Sequence, residues 1–338
     1  LRSQIHLEVS VAQAKEERLV ADGQGDQLCV VIVTYNSAEY IETCLRAIIE
    51  APTEVPLRVI VVDNASTDST RELVERFATV QLICNSRNLG FGRAVNQAIR
   101  QARRSERPPA FWLLLNPDTQ LLPGALDALY RFAEEEADIG ICGPRMESLS
   151  GVLHYSCRSF PNWFAGLFRN TWLGKLFPNA EALRRYLMAD LNHNRIADVD
   201  WVSGAAMMIR RSCLDEIGIL DERFFMYCED VDLCWRAKRA GWKVAYFPGA
   251  VVRHRIAASS DQRQLRSLWN FHTSHLKFFT KTNGVKGRLL WPFAALLLYS
   301  RAFIITTKYI ARYIKGSLFR GKPSTHNPAP RRAETRRG

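Results

Sequence analysis

Continuous apolar runs alternate with amphipathic stretches through the first half of the chain. "LCVVIVTY", from Leu28, is apolar and β-branched without polar alternation, the pattern of a strand covered on both faces. "SAEYIETCLRAIIE" follows, with Tyr40, Ile41, Cys44, Leu45, Ile48 and Ile49 at helical spacing. The alternation then recurs as "LRVIVVDN" and the capped helix "STDSTRELVERFA", "VQLICN" and "GRAVNQAIRQAR", and "AFWLLLNPD" and "GALDALYRFAEEE", closing on the strand "IGICGPRM". Strands alternating with helices at this spacing predict βαβ units: an α/β fold with a mainly parallel, Rossmann-like sheet and flanking helices over 28–146.

Beyond 150 the rhythm loosens. "FPNWFAGLFRNTWLGKLF" is aromatic and irregular, and "VDWVSGAAMMIRR" reads as strand, tight glycine turn, strand. Residues 262–282 read as helix and 286–320 as one long apolar and basic helix. Residues 321–338 carry Pro323, Pro328 and Pro330 among arginines, the composition of a disordered tail. The expected organisation is an N-terminal extension (1–26), a main α/β domain (27–260), a C-terminal amphipathic helical region (261–320) and a basic tail (321–338).

Charge sharpens that division. The 338 residues carry a formal net charge of +12. From Lys286 onward there are 12 Lys/Arg against Glu334, a net of +11, which leaves +1 for everything before. A neutral body with a basic tail points to an anionic partner for the tail. Arg301, Lys308, Arg312 and Lys315 fall within roughly 60° of one another on a helix at about 100° per residue, and Phe303, Ile310 and Ile314 lie opposite. That is the pattern of a helix lying in a lipid headgroup region, and an anionic membrane surface is the expected partner. Nothing in the neutral body favours nucleic acid. The alternative is a helix docked by its apolar face on the main domain. The eight cysteines form no CxxC pair and sit mostly in apolar runs, as free buried thiols do in a reducing compartment. No secretory leader is legible in a sequence that begins on Leu1.

In an open parallel sheet, ligands bind beyond the carboxyl ends of the strands. Those ends here are polar: Thr34, Tyr35 and Asn36; Asp63 and Asn64; Asn85 leading into "RNLGFG"; Asn116, Pro117 and Asp118. Asp63 is placed to accept from a nucleotide's base or ribose, or else to close an Asx turn. Ser66 and Asp68 read as helix caps. Asn88-Leu89-Gly90-Phe91-Gly92 lets a backbone approach a ligand, but neither G-x-G-x-x-G nor a P-loop is present, against a dinucleotide enzyme or P-loop NTPase. Asp118, after five apolar residues, is placed to ligate Mg²⁺ or Mn²⁺ on a diphosphate, or to sit in a type I turn. "FFMYCEDVDLCWRAKRAGW" sets Glu229, Asp230 and Asp232 behind aromatics, as a helix cap or as an acid held in a cleft, and His254 closes the strand-like "GAVVRH".

Taken together, "VVIVTYNS", "VVVDNASTDST", "NLGFGRAVNQAI", "LLLNPDT", "VSGAAMMIRR", "LDERFFMYCEDVDLCWRAKRAGW" and "VVRH" resemble the inverting nucleotide-diphospho-sugar glycosyltransferases of family 2, which have the GT-A fold. The likeness runs over 29–254 in the family's order. It is nearest to bacterial rhamnosyltransferases acting on lipid-linked sugars, with galactofuranosyltransferases next. It implies a donor-nucleotide site at Thr34, Tyr35, Asn36, Asp63, Asn88, Gly90 and Asn116. Asp118 and His254 would hold the metal. Asp230 would be the catalytic base, with Gly204, Tyr227 and Glu229 at the sugar and acceptor cleft, walled by Phe224 and Phe225. Asn116 stands where the family's D-x-D motif has its first acid, which implies an ion brought in with the nucleotide. The Q-x-x-R-W of processive synthases is absent, implying one sugar per encounter. The expected activity is transfer of a sugar, best rhamnose from dTDP-rhamnose, from a nucleotide-diphosphate donor to a polyprenyl-linked or cell-envelope glycan acceptor at the cytoplasmic face. A UDP-linked galactofuranose or hexose is the alternative donor. A nucleotidyltransferase or a non-catalytic membrane-binding module are the readings from other classes; "VTYNSAEYIE" lacks the basic signature loop of the former. The oligomeric state is not legible.

Overall fold

A computed structural model describes residues 28–106, 108–161, 181–255 and 264–319, with side chains described to 307. The expected extension 1–26 and basic tail 321–338 lie outside the described residues. So do the side chains of Lys308, Ile310, Arg312, Ile314 and Lys315. The chain forms two compact units, 1–278 and 279–338.

In the first unit the apolar runs become β1 (Leu28–Thr34), β2 (Leu57–Asp63), β3 (Val80–Cys84) and β4 (Phe111–Leu115). The helices between them are α1 (Ile41–Ile49), α2 (Thr70–Glu75) and α3 (Phe91–Ala102). β1 pairs in parallel with β2 and with β4, and β2 with β3. Successive strand side chains point to opposite faces, so two cores form. Cys29, Val31, Ile60, Val62 and Trp112 pack with α3 residues such as Val95 and Ile99. Val30, Ile32, Val59, Val61 and Leu113 pack with Ile41 and Leu45 of α1. Each buried aliphatic side chain contributes about 1.5–3 kcal/mol.

Next come β5 (Thr119–Leu121), α4 (Ala125–Glu135), β6 (Ile139–Glu147), β7 (Leu153–His154) and β8 (Cys157–Arg158). Then follow α5 (Glu181–Leu187), β9 (Ala197–Asp198), β10 (Trp201–Val202), β11 (Ala206–Arg210), α6 (Arg211–Ile217), α7 (Glu229–Arg239) and β12 (Lys243–His254). Among the described residues, the main sheet runs β3-β2-β1-β4-β11-β6-β12-β5, with β7 beside β6 and β9 beside β12. β11 is antiparallel to β4 and β6, so the sheet is mixed.

Two features go beyond the sequence expectation. The strand, glycine turn and strand expected around Gly204 are present, but which strands they pair with was not legible: β10 pairs with β8 in a separate small sheet, while β11 joins the main one. β5 was not expected, being only three residues long; it pairs antiparallel with β12, opposing Thr119 to His254.

The last helix, α8 (Gln264–Phe319), contains Pro292 and is interrupted at Gly284, where φ is +54°. Its first turns, to Phe278, belong to the first unit, and Phe278 enters a core there. In the second unit Leu289, Phe293, Leu296 and Phe303 are exposed. A window within Leu265–Thr307 is long and apolar enough to cross a membrane by length and composition.

Candidate active site

Strand direction gathers the polar strand ends on one edge. Because β11 runs against β4, its start lies beside the end of β4: Ala206 opposes Leu115, and Asn116 N–H donates to the Ala205 carbonyl at 2.9 Å. β12 runs with β6 and ends at His254 on the same edge.

The loops after β1 and β2 are stitched together. Asn36, at φ +51°, donates its N–H to Ser66 Oγ at 2.8 Å and accepts from Thr67 N–H at 2.8 Å. Ser37 N–H donates to Thr70 Oγ1 at 2.8 Å and Ala38 N–H to Asp68 at 3.1 Å. Asp68 also accepts from Thr70 N–H at 3.1 Å, but the N-cap position is Ser69, whose side chain makes no capping bond; neither Asp68 nor Ser66 stands there as expected, and Ser66 bonds Asp63 instead. Asp63 is fully buried. Its oxygens accept from Thr34 Oγ1 at 3.0 Å, Ser66 N–H at 2.9 Å and Arg71 Nε at 2.7 Å. The carboxylate thus bonds the backbone three residues on rather than closing an Asx turn, and a nucleotide base would reach it only by displacing one of these donors. Tyr35 lies in the same loop, part-exposed.

The "RNLGFG" loop is held by a buried amide network that the sequence did not reveal. Asn64 Nδ2 donates to the Gly90 carbonyl at 3.2 Å, and Asn85 Nδ2 donates to Asn64 Oδ1 at 3.0 Å. Asn88 accepts from Gly90 N–H at 2.9 Å. Gly90, at φ +89°, brings the backbone against another loop: Phe91 N–H donates to the Phe225 carbonyl at 2.9 Å, and a Cβ on Gly90 would lie 2.5 Å from that oxygen. The expected close approach is to the "FFMYCED" loop. Phe224, expected to wall a cleft, is 1% exposed and belongs to the core.

Asp118 sits in the turn between β4 and β5. The β5–β12 ladder delivers His254 to it, with His254 Nε2 3.1 Å from Asp118 Oδ1. His154 on β7 is a neighbour that sequence reasoning missed; burial lowers its pKa, and the His254 charge lowers it further. Among the described residues no group of three or more His, Cys, Asp or Glu gathers to hold a metal ion alone. A carboxylate plus an imidazole is a donor set that fits an ion whose remaining oxygens arrive with a diphosphate.

Asp230 and Glu229 begin α7, where acids favour the positive end of the helix dipole. Tyr227 and Cys228, immediately before, hold φ of +69° and +67°. Such left-handed geometry costs about 1–2 kcal/mol per residue and persists only where surroundings enforce it. Here α8 supplies the enforcement: Ser274 Oγ donates to the Met226 carbonyl at 2.8 Å, Cys228 Sγ lies 3.4 Å from His275 Nδ1, and Tyr227 meets Phe271 edge-on at 5.7 Å. No glycine or asparagine marks this bend, so no local residue announces it. Asp232 is fully buried and paired with Arg236 at 2.9 Å, a structural role as expected.

The part-exposed Asp230 accepts from Gly204 N–H at 3.0 Å and from Val231 N–H at 2.9 Å. Gly204 leaves room for this carboxylate: a Cβ there would lie 3.2 Å from Asp230 Cβ. Burial raises the pKa of Asp230; the Gly204 and Val231 amides and the Arg158 charge pull the other way. Glu229 is 7% exposed, and its Oε2 has no hydrogen-bond partner among the described residues. Burial, then the Asp230 charge, hold its pKa well above the usual carboxylate range. The edge thus offers a proton acceptor on a backbone cradle, a carboxylate–imidazole pair, and loops that can receive a nucleotide.

This arrangement is that of a GT-A glycosyltransferase. A model of the glycosyltransferase like family 2 matches residues 26–270, and the chain belongs to that family. It is 36% identical over 256 residues to the N-acetylglucosaminyl-diphospho-decaprenol L-rhamnosyltransferase of Mycobacterium tuberculosis, covering 74% of this chain and 82% of that one. It is 29% identical over 230 residues to the rhamnosyltransferase WbbL of Escherichia coli, covering 67% and 82%. Among solved structures, the mannosyltransferase PcManGT from Pyrobaculum calidifontis, in complex with GDP-Man and Mn²⁺, shares the fold at TM-score 0.51 and 17% identity, covering 88% of this chain and 81% of that one. The chain is a rhamnosyltransferase-like member of family 2.

Proposed function

We propose that the protein is an inverting transferase moving rhamnose from dTDP-rhamnose to a polyprenyl-linked or cell-envelope glycan acceptor. The observation carrying this reading is Asp230: a part-exposed carboxylate, oriented by two backbone amides and made more basic by burial. The acceptor hydroxyl gives its proton to Asp230 as its oxygen forms a bond to the anomeric carbon. The bond from that carbon to the diphosphate oxygen breaks, and the nucleoside diphosphate leaves. A single displacement inverts the centre.

The loops at Thr34–Asn36, Asp63 and Asn88–Gly90 receive the nucleotide, with Asn116 beside them. Asp118 and His254 would hold a divalent ion, which supplies charge compensation to the diphosphate leaving group. Tyr227 and Gly204 border the acceptor side. Rhamnose is supported by the activities named for both relatives, and a lipid-linked acceptor by the name of the first. The exposed apolar residues Leu289, Phe293 and Phe303, with the basic residues from Lys286 onward, support a peripheral position on an anionic membrane at its cytoplasmic face.

A thermal-shift panel of UDP, GDP and dTDP, with and without Mn²⁺, tests the donor. Binding stabilises by RT ln(1 + [L]/Kd), so dTDP with metal should give the largest rise. A larger rise with UDP would overturn the dTDP assignment in favour of a UDP-linked hexose or galactofuranose.

A further inference from the structure

One cation that the mechanism above does not use acts electrostatically on Asp230. Arg158 lies on β8, whose partner β10 leads into the Gly204 turn: Arg158 opposes Trp201, Cys157 opposes Val202, and Ser203 N–H donates to the Ser156 carbonyl at 2.8 Å. The strand carrying Arg158 is thus fixed to the turn that cradles Asp230. The guanidinium carbon is 5.5 Å from the centroid of the Trp201 ring and 5.9 Å from that of Tyr186. Two aromatic faces hold the guanidinium in place and leave its edge free to donate.

Those donors are almost unspent. Among the described residues Nη2 makes one long bond, to the Tyr155 carbonyl at 3.4 Å, and the buried Nε has no partner. No carboxylate of the described residues forms an ion pair with Arg158, although its charge reaches Asp230. With no direct ion pair among the described residues, its N–H groups are placed to take an anion that arrives beside them. Planar, bidentate recognition of phosphate is what an arginine held this way does best.

We propose that Arg158 binds a phosphate of the acceptor, the one that joins the acceptor sugar to its lipid carrier. The acceptor side is assigned by that coupling: Asp230 takes the proton of the acceptor hydroxyl, so a cation that acts on Asp230 faces the acceptor. The donor's diphosphate is expected instead at Asp118 and His254. Both assignments rest on the transfer reading given above. Arg158 also helps keep Asp230 ionised, so its loss should raise the pKa of that base. The other groups facing Asp230 are Glu229 and Cys234, on its own helix.

The test uses the full chain with Arg158→Gln and Arg158→Lys. Two acceptors carrying the same sugar are compared, a short-chain prenyl diphosphate sugar and a neutral alkyl glycoside, and Kd for dTDP is measured alongside. Hydrogen bonds to a charged group are worth about 10- to 150-fold, so Arg158→Gln should raise KM for the diphosphate acceptor at least tenfold more than for the neutral one. Arg158→Lys should recover part of that difference, and Kd for dTDP should stay within about twofold. The acid limb of kcat against pH should move upward in Arg158→Gln. Equal losses on both acceptors would overturn the proposal, as would a weakened dTDP affinity, which would assign the cation to the donor. A wild-type enzyme that transfers to neither acceptor would overturn the transfer reading itself, whereas wild-type transfer with no difference between acceptors in the variant overturns only the role of Arg158.

Discussion

Gly204→Ala perturbs Asp230, the proposed base, without touching its chemistry. The new Cβ would lie 3.2 Å from Asp230 Cβ and 3.5 Å from its Oδ2. Carbon atoms pack best at about 3.5–4.0 Å, so Asp230 must yield by a few tenths of an ångström. It is anchored on both sides, by Gly204 N–H at 3.0 Å and Val231 N–H at 2.9 Å, and cannot shift without lengthening one bond. A misplacement of about 1 Å can cost about 100-fold in rate; a shift of a third to a half of that should lower kcat about tenfold. Gly204 has no left-handed φ, so the backbone accepts alanine. The entropy gained from removing a glycine, about 0.4–1 kcal/mol, partly offsets overpacking of about 1–3 kcal/mol. The net loss of about 1 kcal/mol should appear as about 2–4 °C in Tm. Initial rates at saturating donor and acceptor, with a thermal melt of the same preparation, read both quantities. Wild-type kcat with a lowered Tm would refute the reasoning, because the Gly204–Asp230 contact would then be structural only.

Asp118→Ala should abolish transfer and His254→Ala should reduce it less, with EDTA inhibiting the wild type; full activity in EDTA and in Asp118→Ala alike would contradict metal use. Glu229 has a raised pKa, so its contribution to stability is present below its unfolded value and is lost as pH rises through its folded value. Glu229→Gln should therefore gain Tm relative to wild type between pH 5 and pH 8, and a constant offset across that range would contradict the assignment. Deleting 286–338, which carries 12 Lys/Arg and one acid, should release the protein from anionic vesicles and impair transfer to a lipid acceptor more than to a short soluble one; equal vesicle binding with and without the segment would contradict a peripheral attachment.

The nucleotide half of the sheet was legible because its strands are buried on both faces. Runs such as "LCVVIVT" and "FWLLL" leave no polar position to confuse the period, and each is followed by an amphipathic helix. The strand ends then named Thr34, Asp63, Asn116 and Asp118 by topology alone. What escaped was set by long-range geometry. β5 is too short to carry a period, yet it is the strand that brings Asp118 to His254. The pairing of β10 with β8 joins segments about forty residues apart, and with it the placement of Arg158, an arginine with no motif around it. Asp63 shows a different limit: the sequence left an Asx turn and a nucleotide contact open, and its carboxylate instead accepts from Ser66 three residues on, from Thr34 and from Arg71. The strained Tyr227–Cys228 bend depends on contacts from a helix about forty residues later, which no local pattern announces.

The base can be tested with the smallest possible change. Asp230→Asn keeps the shape of the side chain and removes the proton acceptor, while one amide oxygen can still accept from Gly204 or Val231. Its kcat, measured together with the thermal shift given by the donor nucleotide, should fall by about 10²–10⁴ with the nucleotide shift unchanged. A kcat within a few-fold of wild type in a folded Asp230→Asn protein would contradict the assignment of Asp230 as the base.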